Sequence, residues 1–283
     1  MNKIQDYDVS NPFSGKVLST SRLTSSENNV EICEIVIEIQ DTTFSFKSGQ
    51  SIGVIAPGDP AFGNNSIFRL YTIAGTGETD NTIKICVKRC FYVDFINGER
   101  YKGTVSNYLC DLVGGDTVSL AGPYGMAFTL PKDKTSDLLM IGLGTGIAPF
   151  RALVKHIYEN LGGWEGKVRL FYGAKTGLDM AYMNDEKNDF SLYYDEATFK
   201  AIEAVSPRPA FNKPVALDEA LTNNSDEVWS MISEPNTHVF IAGLKQIREL
   251  TDKAFVEMAD SPEKWDWQLK ALKSTGRWQE VIY

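Results

Sequence analysis

Two histidines and four cysteines in a chain of 283 residues leave little from which to build a metal centre or a disulfide framework. His156 falls inside a helical pattern and His238 precedes an apolar run, too isolated from each other for a histidine cage. Cys33, Cys86, Cys90 and Cys110 match neither a zinc site, an iron–sulfur ligand set nor a disulfide scaffold in number or spacing. They read as reduced thiols of a cytoplasmic protein, and no metal is expected. Cys86 and Cys90, four apart, are expected on one face of a strand as small buried hydrophobes. Long apolar runs are also missing, so no transmembrane segment is expected, and MNKIQDYDVS has neither the apolar stretch nor the cleavage site of a leader. Positive charge is the third shortage: 28 Lys and Arg stand against 37 Asp and Glu, a net charge of -9. A surface of that sign repels phosphate backbones and anionic headgroups, which argues against nucleic-acid binding.

What is present is an ordinary globular mixture, 43% hydrophobic and 23% charged. From Gly15 to about Leu130 short apolar or alternating runs (VEICEIVIEI, QSIGVIAP, RLYTIAG, TIKICVKRCFY, DTVSLAGPYG) are separated by turn residues, which predicts an antiparallel barrel or sandwich. Beyond Lys134 apolar strands (DLLMIGLG, KVRLFYGA, HVFIAG) alternate with helical patterns (APFRALVKHIYENL, LKQIRELTDKAFVEMA), which predicts a doubly wound parallel α/β sheet. The polar stretch PKDKTSD marks the junction, giving a β domain over 1–133 and an α/β domain over 134–283. Residues 179–196, acidic and aromatic without a clean period, are expected to form a loop followed by a helix.

Three segments carry chemistry. In DLLMIGLGTGIAPFRALV a strand runs into Gly142, Gly144 and Gly146 and then a helix with Pro149 in its first turn. Glycines let a backbone approach a phosphate, and free N–H groups at a helix start attract it. A tight strand-to-helix turn without a ligand is the other reading, and the spacing departs from the usual dinucleotide fingerprint. In RLYT, Arg69 and Tyr71 fall on one strand face and Leu70 and Thr72 on the other, an arginine fork suiting a phosphate and a flat ring suiting an aromatic. In KGTVSNYLCDLVGGD, Thr104 and Ser106 precede a short helix expected over Asn107 to Leu112. Its start is either a second phosphate seat or a helix simply capped by Ser106.

In this order, GQSIGVIAP, RLYTIA, ICVKRCFY, YKGTVSNYLCDL, LAGPYG, GLGTGIAPFRALV, IAGLK and a terminal tyrosine resemble the ferredoxin–NADP+ reductase family, plant-type branch, over most of the chain. The resemblance implies a β-barrel holding FAD and an α/β domain holding NADP(H). It implies Arg69 on the FAD phosphates, Tyr71 on the isoalloxazine and Thr72, where serine is usual, near flavin N5. Cys86, Val87 and Lys88 would line FAD, with Lys88 also near the nicotinamide nucleotide, and Tyr92 would pack on the adenine. Leu70 shares the RLYT segment, and Thr104, Val105 and Ser106 would form the pyrophosphate turn. In the second domain Thr145, between Gly144 and Gly146, would touch both cofactors. Ala174, Lys175, Gly243 and Leu244 would line the nucleotide path, and Tyr283 would cover the flavin. Thr72 and Tyr283 are the implied catalytic positions.

Departures from the pattern bear on turnover. Ala242 stands where the branch has cysteine, and Val281 where it has glutamate; Glu280 lies one residue earlier, which in an extended tail points it the opposite way. Altered hydride transfer is therefore expected, with Ala242→Cys raising the rate of flavin reduction as measured by stopped flow. Ser206 is in place for the 2'-phosphate and Arg208 is displaced by Pro207, which favours NADP(H) and leaves NAD(H) possible; the adenine-holding pair falls near Val215 and Leu217 and is lost. The implied partner is a separate one-electron carrier, ferredoxin or flavodoxin. Such carriers are usually acidic, so Lys84, Lys88, Arg89, Arg100 and Lys102 are the candidates for a local basic face. The reductase component of an oxygenase system, or a non-turnover flavin- or nucleotide-binding regulatory subunit, are the alternatives.

Overall fold

The computed structural model describes residues 7–40, 44–58, 65–77, 81–205 and 216–283. They divide into two compact units, Met1–Ala127 and Phe128–Tyr283.

The first unit contains strands β1 (Phe13–Arg22), β2 (Ile32–Ile39), β3 (Gln50–Pro57), β4 (Ser66–Thr76), β5 (Thr82–Lys88), β6 (Phe91–Val93), β7 (Arg100–Lys102) and β8 (Thr117–Met126), with helix α1 (Thr104–Asp111) between β7 and β8. Alternating side chains put Val17, Ile35, Ile37, Ile52, Val54, Ile73, Ile85, Val118 and Leu120 on one face of six antiparallel strands. The barrel closes in the order β1-β2-β5-β4-β3-β8, so the sandwich alternative falls away. Closure buries that face without leaving an open sheet edge. α1 packs against β3, β4 and β5 and adds Val105, Leu109 and Cys110 to the barrel core.

Two local expectations are corrected here. The helix starts at Thr104, not Asn107, because buried Asn107 reaches back: its Nδ2 donates to the carbonyls of Cys90 (2.8 Å) and Gly103 (2.9 Å). Ser106 is thus inside the first turn and Gly103 is the cap residue. The Ser106 hydroxyl accepts the Cys90 amide (3.2 Å) and donates to the Gly103 carbonyl (3.2 Å). Cys86 is buried as expected, but Cys90 lies past the end of β5 and is exposed. The strand period no longer applies where the strand has ended.

The second unit contains β9 (Asp137–Leu143), α2 (Ile147–Lys155), β10 (Val168–Gly173), β11 (Phe199–Ala204), α3 (Leu217–Thr222), α4 (Ser225–Ser233), β12 (Thr237–Gly243), α5 (Gln246–Ala259), α6 (Pro262–Ser274) and β13 (Trp278–Ile282). The five strands are parallel in the order β11-β10-β9-β12-β13. β9 has no exposed face, as a central parallel strand requires, which is why DLLMIGL reads as a continuous apolar run. The chain joins this unit from Phe128, whose ring stacks on Phe150 (5.2 Å), and Thr129 exchanges two hydrogen bonds with the Gln279 side chain. Residues 179–196 contain no α-helix; a bridge between Met183 and Asn188 and a 3-10 turn over Phe190–Tyr193 take its place. Tyr182 and Phe190 are buried one at a time and Asp189 pairs with buried Arg151 (2.5 Å), so each anchor acts separately and no helical period arises. No helix among the described residues is long and apolar enough to cross a membrane.

Candidate cofactor sites

On the barrel, RLYT lies in β4, which pairs with β3 over Ser66–Thr72 and with β5 only from Ile73 onward. Thr72 is buried opposite Ser51, Leu70 is half-buried, and Arg69 is exposed with one donor on the Phe68 carbonyl (2.8 Å). Tyr71 is half-buried against the core. Burial pushes its phenol above the ordinary tyrosine value, with Cys110 and Cys90 adding to the push and Arg69 opposing it. Those influences mark Tyr71 as a neighbour of α1. In β5, Cys86 and Val87 are buried and Lys88 is partly exposed at the strand end. Tyr92 lies on the β6–β7 hairpin, more than half exposed and stacked on Tyr101 (centroids 5.4 Å apart, planes 17° apart).

Thr104, Val105 and Ser106 form the first turn of α1 behind Gly103, whose extended backbone (φ -65°, ψ 115°) offers no side-chain cap. Their N–H groups have no partners within the helix, and with the helix dipole they suit a phosphate. Sequence reasoning missed the clamp that seats this helix. Arg89 bonds Glu31 (3.0 Å), Asp111 (2.7 Å) and the Asn107 amide oxygen (3.3 Å), so it belongs to the α1 seat and not to a free basic face. Lys84 likewise faces Glu34 at 4.0 Å. Lys88, Arg100 and Lys102 remain of the basic group. The i,i+18 and i,i+22 spacing of Arg89 to its helix partners carries no local signal.

In the second unit all five strands end in register: Leu143 of β9 is opposite Gly173 of β10, which is opposite Ala204 of β11, Gly243 of β12 is opposite Ile282 of β13, and Ala242 of β12 is opposite Gly142 of β9. This brings Gly144–Gly146, Ala174 with Lys175, Gly243 with Leu244, and Tyr283 to the carboxyl edge of one sheet. β9 and β12 flank the point where strand order reverses, the place where open α/β sheets bind ligands. Gly144 has φ +60°, and the buried Tyr172 hydroxyl holds its carbonyl (2.9 Å), a supporting contact not legible in the sequence. At Gly146 a Cβ would come within 2.0 Å of the Ala242 carbonyl oxygen. α2 starts directly behind this turn, again without a side-chain cap. Ala174 is buried and Lys175 exposed, while Leu244 and Tyr283 keep 44% of their surface. The Tyr283 amide donates to the Gly243 carbonyl (3.0 Å). Ser206 and Arg208 follow β11 but lie outside the described residues, as does Val215.

Ala242 is fully buried in β12 opposite Val281. Glu280, on the other face of β13, accepts bonds from Trp278 Nε1 (2.5 Å) and Arg248 Nε (2.8 Å). Burial raises its pKa, but these bonds and the charges of Arg248 and Lys273 outweigh that and hold it below the usual glutamate value. It is committed to seating α5 and β13.

Two family profiles match: an oxidoreductase FAD-binding domain over residues 18–128 and an oxidoreductase NAD-binding domain over 140–253. The ferredoxin–NADP reductase of Spirulina sp. is 31% identical over 288 residues, 98% of this chain and 97% of that protein. Those of Thermosynechococcus vestitus (33%, 98% of this chain and 74% of that protein) and Arabidopsis thaliana (leaf isozyme 1, chloroplastic; 30%, 99% and 79%) are similarly close. The solved ferredoxin–NADP+ reductase of Plasmodium falciparum superposes with a TM-score of 0.73 over 98% of both chains at 19% identity, a likeness of fold. With an FAD-binding barrel followed by an NAD-binding parallel sheet, and full-length relatives above 30% identity, the chain belongs to the ferredoxin–NADP reductase family.

Proposed function

We propose that the protein is an FAD-dependent oxidoreductase passing electrons between NADP(H) and a one-electron carrier protein such as ferredoxin or flavodoxin. The observation that carries this reading is where two turns fall in a chain of this family: the start of α1 packs on a barrel beside Tyr71, and the Gly144–Gly146 turn lies at the switch point of a parallel sheet. Bound FAD supplies the exchange between two-electron and one-electron transfer. In this assignment FAD belongs to the first unit and the nucleotide to the second; the units divide after Ala127, six residues before the junction at Asp133 expected from the sequence.

Arg69 holds the FAD phosphates as a planar fork, and the first-turn amides of Thr104, Val105 and Ser106 hold the pyrophosphate. Tyr71 offers one half-buried face to the isoalloxazine, while Cys86, Val87 and Lys88 form the adjoining wall and Tyr92 takes the adenine. Burial raises the Tyr71 phenol, so it stays a neutral stacking surface at physiological pH. The Thr72 hydroxyl would supply a hydrogen bond to the bound flavin. Thr145, with Gly144 and Gly146, meets the nucleotide at the switch point. Ala174, Lys175, Gly243 and Leu244 line its path, and Ser206 with Arg208 selects the 2'-phosphate. Tyr283, half-exposed at the carboxyl edge of the sheet, would be the aromatic available to a bound flavin or nicotinamide ring.

The four cysteines are free thiols, which supports a reducing compartment such as the cytoplasm. For the carrier, the β6–β7 hairpin carries Arg100 and Lys102 on β7 and exposes Phe95 (102%) and Ile96 (97%) at its tip beside Asp94 and Glu99, so the basic charge offered to a partner lies along β7 and not around the tip. Arg100→Glu combined with Lys102→Glu is expected to raise KM for an acidic ferredoxin about tenfold at low salt, with the difference shrinking as salt rises.

The deciding experiment is anaerobic stopped-flow mixing of the purified protein with NADPH and, separately, NADH, followed at the flavin band. Faster bleaching by NADPH is expected. A yellow protein that neither nucleotide bleaches would support the regulatory alternative, and a colourless one that takes up no FAD would overturn the assignment.

A further inference from the structure

The barrel holds a pair of thiols that the proposed electron transfer does not use. Cys33 on β2 and Cys110 on α1 are both buried, and their sulfurs, with a Glu31 carboxylate oxygen, lie within 4.8 Å of one another. Cys33 is opposite Val87 of β5, and the Cys110 thiol points at the Val87 carbonyl (3.9 Å). The Cys33 thiol meets Glu31 Oε1 at 3.5 Å. Over the pair lies the Glu31–Arg89–Asp111 chain of ion pairs, in which the Glu31 and Asp111 side chains keep 28% and 62% of their surface. One layer of ion-paired, partly exposed side chains therefore separates the thiols from water. A metal ion in the same place would have to compete with Arg89 for Glu31, so cation binding is the poorer use of these ligands.

We propose that Cys33 and Cys110 are an oxidisable dithiol, which a peroxide converts to a disulfide that ties α1 to β2 and loosens the hold of α1 on the flavin. The two thiols are unequal. The hydrogen bond from Cys110, together with the Arg89 charge, lowers the Cys33 pKa against burial and Glu31, whereas the same bond and burial raise that of Cys110. Cys33 is the attacking sulfur: its thiol donates to Glu31 Oε1 (3.5 Å), the carboxylate that takes the proton as the sulfur attacks. The Cys33 sulfur takes one peroxide oxygen, the O–O bond breaks, and the released hydroxide leaves as water with the thiol proton, giving a sulfenic acid on Cys33. Cys110 sulfur then attacks Cys33 sulfur; the S–S bond forms, the S–O bond breaks, and the hydroxide leaves as water with the Cys110 proton. Two thiols and one peroxide give one disulfide and two waters, the two electrons passing from sulfur to oxygen.

A disulfide requires the sulfurs to close to about 2 Å. β2 is held by ladders to β1 and β5, so the helix end gives way. The Arg89–Asp111 bond and the Tyr71 contact sit at that end, and the first-turn amides at the other. The coupling to flavin rests on the function proposed above; the dithiol itself does not.

The test uses the full-length, FAD-loaded protein, treated with hydrogen peroxide, thiol-blocked and digested without reductant. A Cys33–Cys110 linked peptide is expected, with an intact mass lower by two hydrogens. Flavin release, followed by recovery of free-flavin fluorescence, is expected to speed up about fivefold, the equivalent of one hydrogen bond, and to return to its starting rate with dithiothreitol. C33A and C110A, two independent variants, should each lose both the linkage and the peroxide response. No linked peptide, a linkage through Cys90, or overoxidation of both thiols without pairing overturns the dithiol. A linked peptide with unchanged flavin release overturns the coupling, and a protein that binds no FAD overturns the function reading while the linked peptide still decides the dithiol.

Discussion

Gly146→Ala is expected to lower the unfolding temperature of the second unit by about 6–12 °C, the consequence of roughly 3 kcal/mol of overpacking. A Cβ at this position would lie 2.0 Å from the Ala242 carbonyl oxygen, 2.4 Å from its carbon and 2.8 Å from the Gly243 nitrogen, all backbone atoms of β12. Backbone in a central parallel strand cannot step aside, so either α2 lifts off the sheet or the β9–β12 ladder breaks. Gly144→Ala is the informative comparison, because nothing lies within 4 Å of a Cβ there and only its φ of +60° is unfavourable. That costs roughly 1 kcal/mol. Differential scanning calorimetry of both variants checks the order. Equal losses would mean that the turn, and not close packing of α2 on β12, is what requires glycine. Because both glycines also face the proposed nucleotide site, the stability ranking is read without nucleotide.

Thr104→Pro is expected to weaken FAD binding by roughly 10- to 100-fold while changing stability by no more than about 0.5 kcal/mol. Proline is well suited to the first position of a helix, where the amide has no helical partner and φ is already near the value its ring imposes. The preceding Gly103, at φ -65° and ψ 115°, has the extended backbone that a residue before proline adopts. The substitution therefore deletes one N–H donor and leaves the helix in place. A charge-assisted bond to a phosphate is worth about 1.5–3 kcal/mol, which sets the expected loss. Thr104→Ala separates the hydroxyl from the amide. Titration of the apoprotein with FAD measures both, and an unchanged affinity in Thr104→Pro would move the phosphate away from the α1 start.

Periodicity made the two architectures legible. Period-two runs with turn residues every few positions close into a barrel, and the apolar DLLMIGL can only be a strand covered on both faces. The glycine turn and the RLYT segment were legible for the same reason: each is local, with its chemistry held in consecutive residues. Local reading failed where a distant partner decided the outcome. Asn107, reaching back to Cys90 and Gly103, starts α1 earlier than its composition suggests. Arg89 looks like a free surface cation until Glu31 and Asp111 arrive from β2's approach and the helix end. Residues 179–196 lack any period because Tyr182, Asp189 and Phe190 are anchored by different neighbours.

By itself the sequence determined the two architectures and the strands that build them, where the phosphate-suited turns fall, and the kind of chemistry they serve, since these depend on side-chain alternation and backbone freedom within a few residues. Only the tertiary structure decided which charges remain available, which cysteines meet, and why Gly146 cannot carry a side chain. Those are properties of atoms distant along the chain and within a few ångströms in space, and desolvation and close packing act on that second distance.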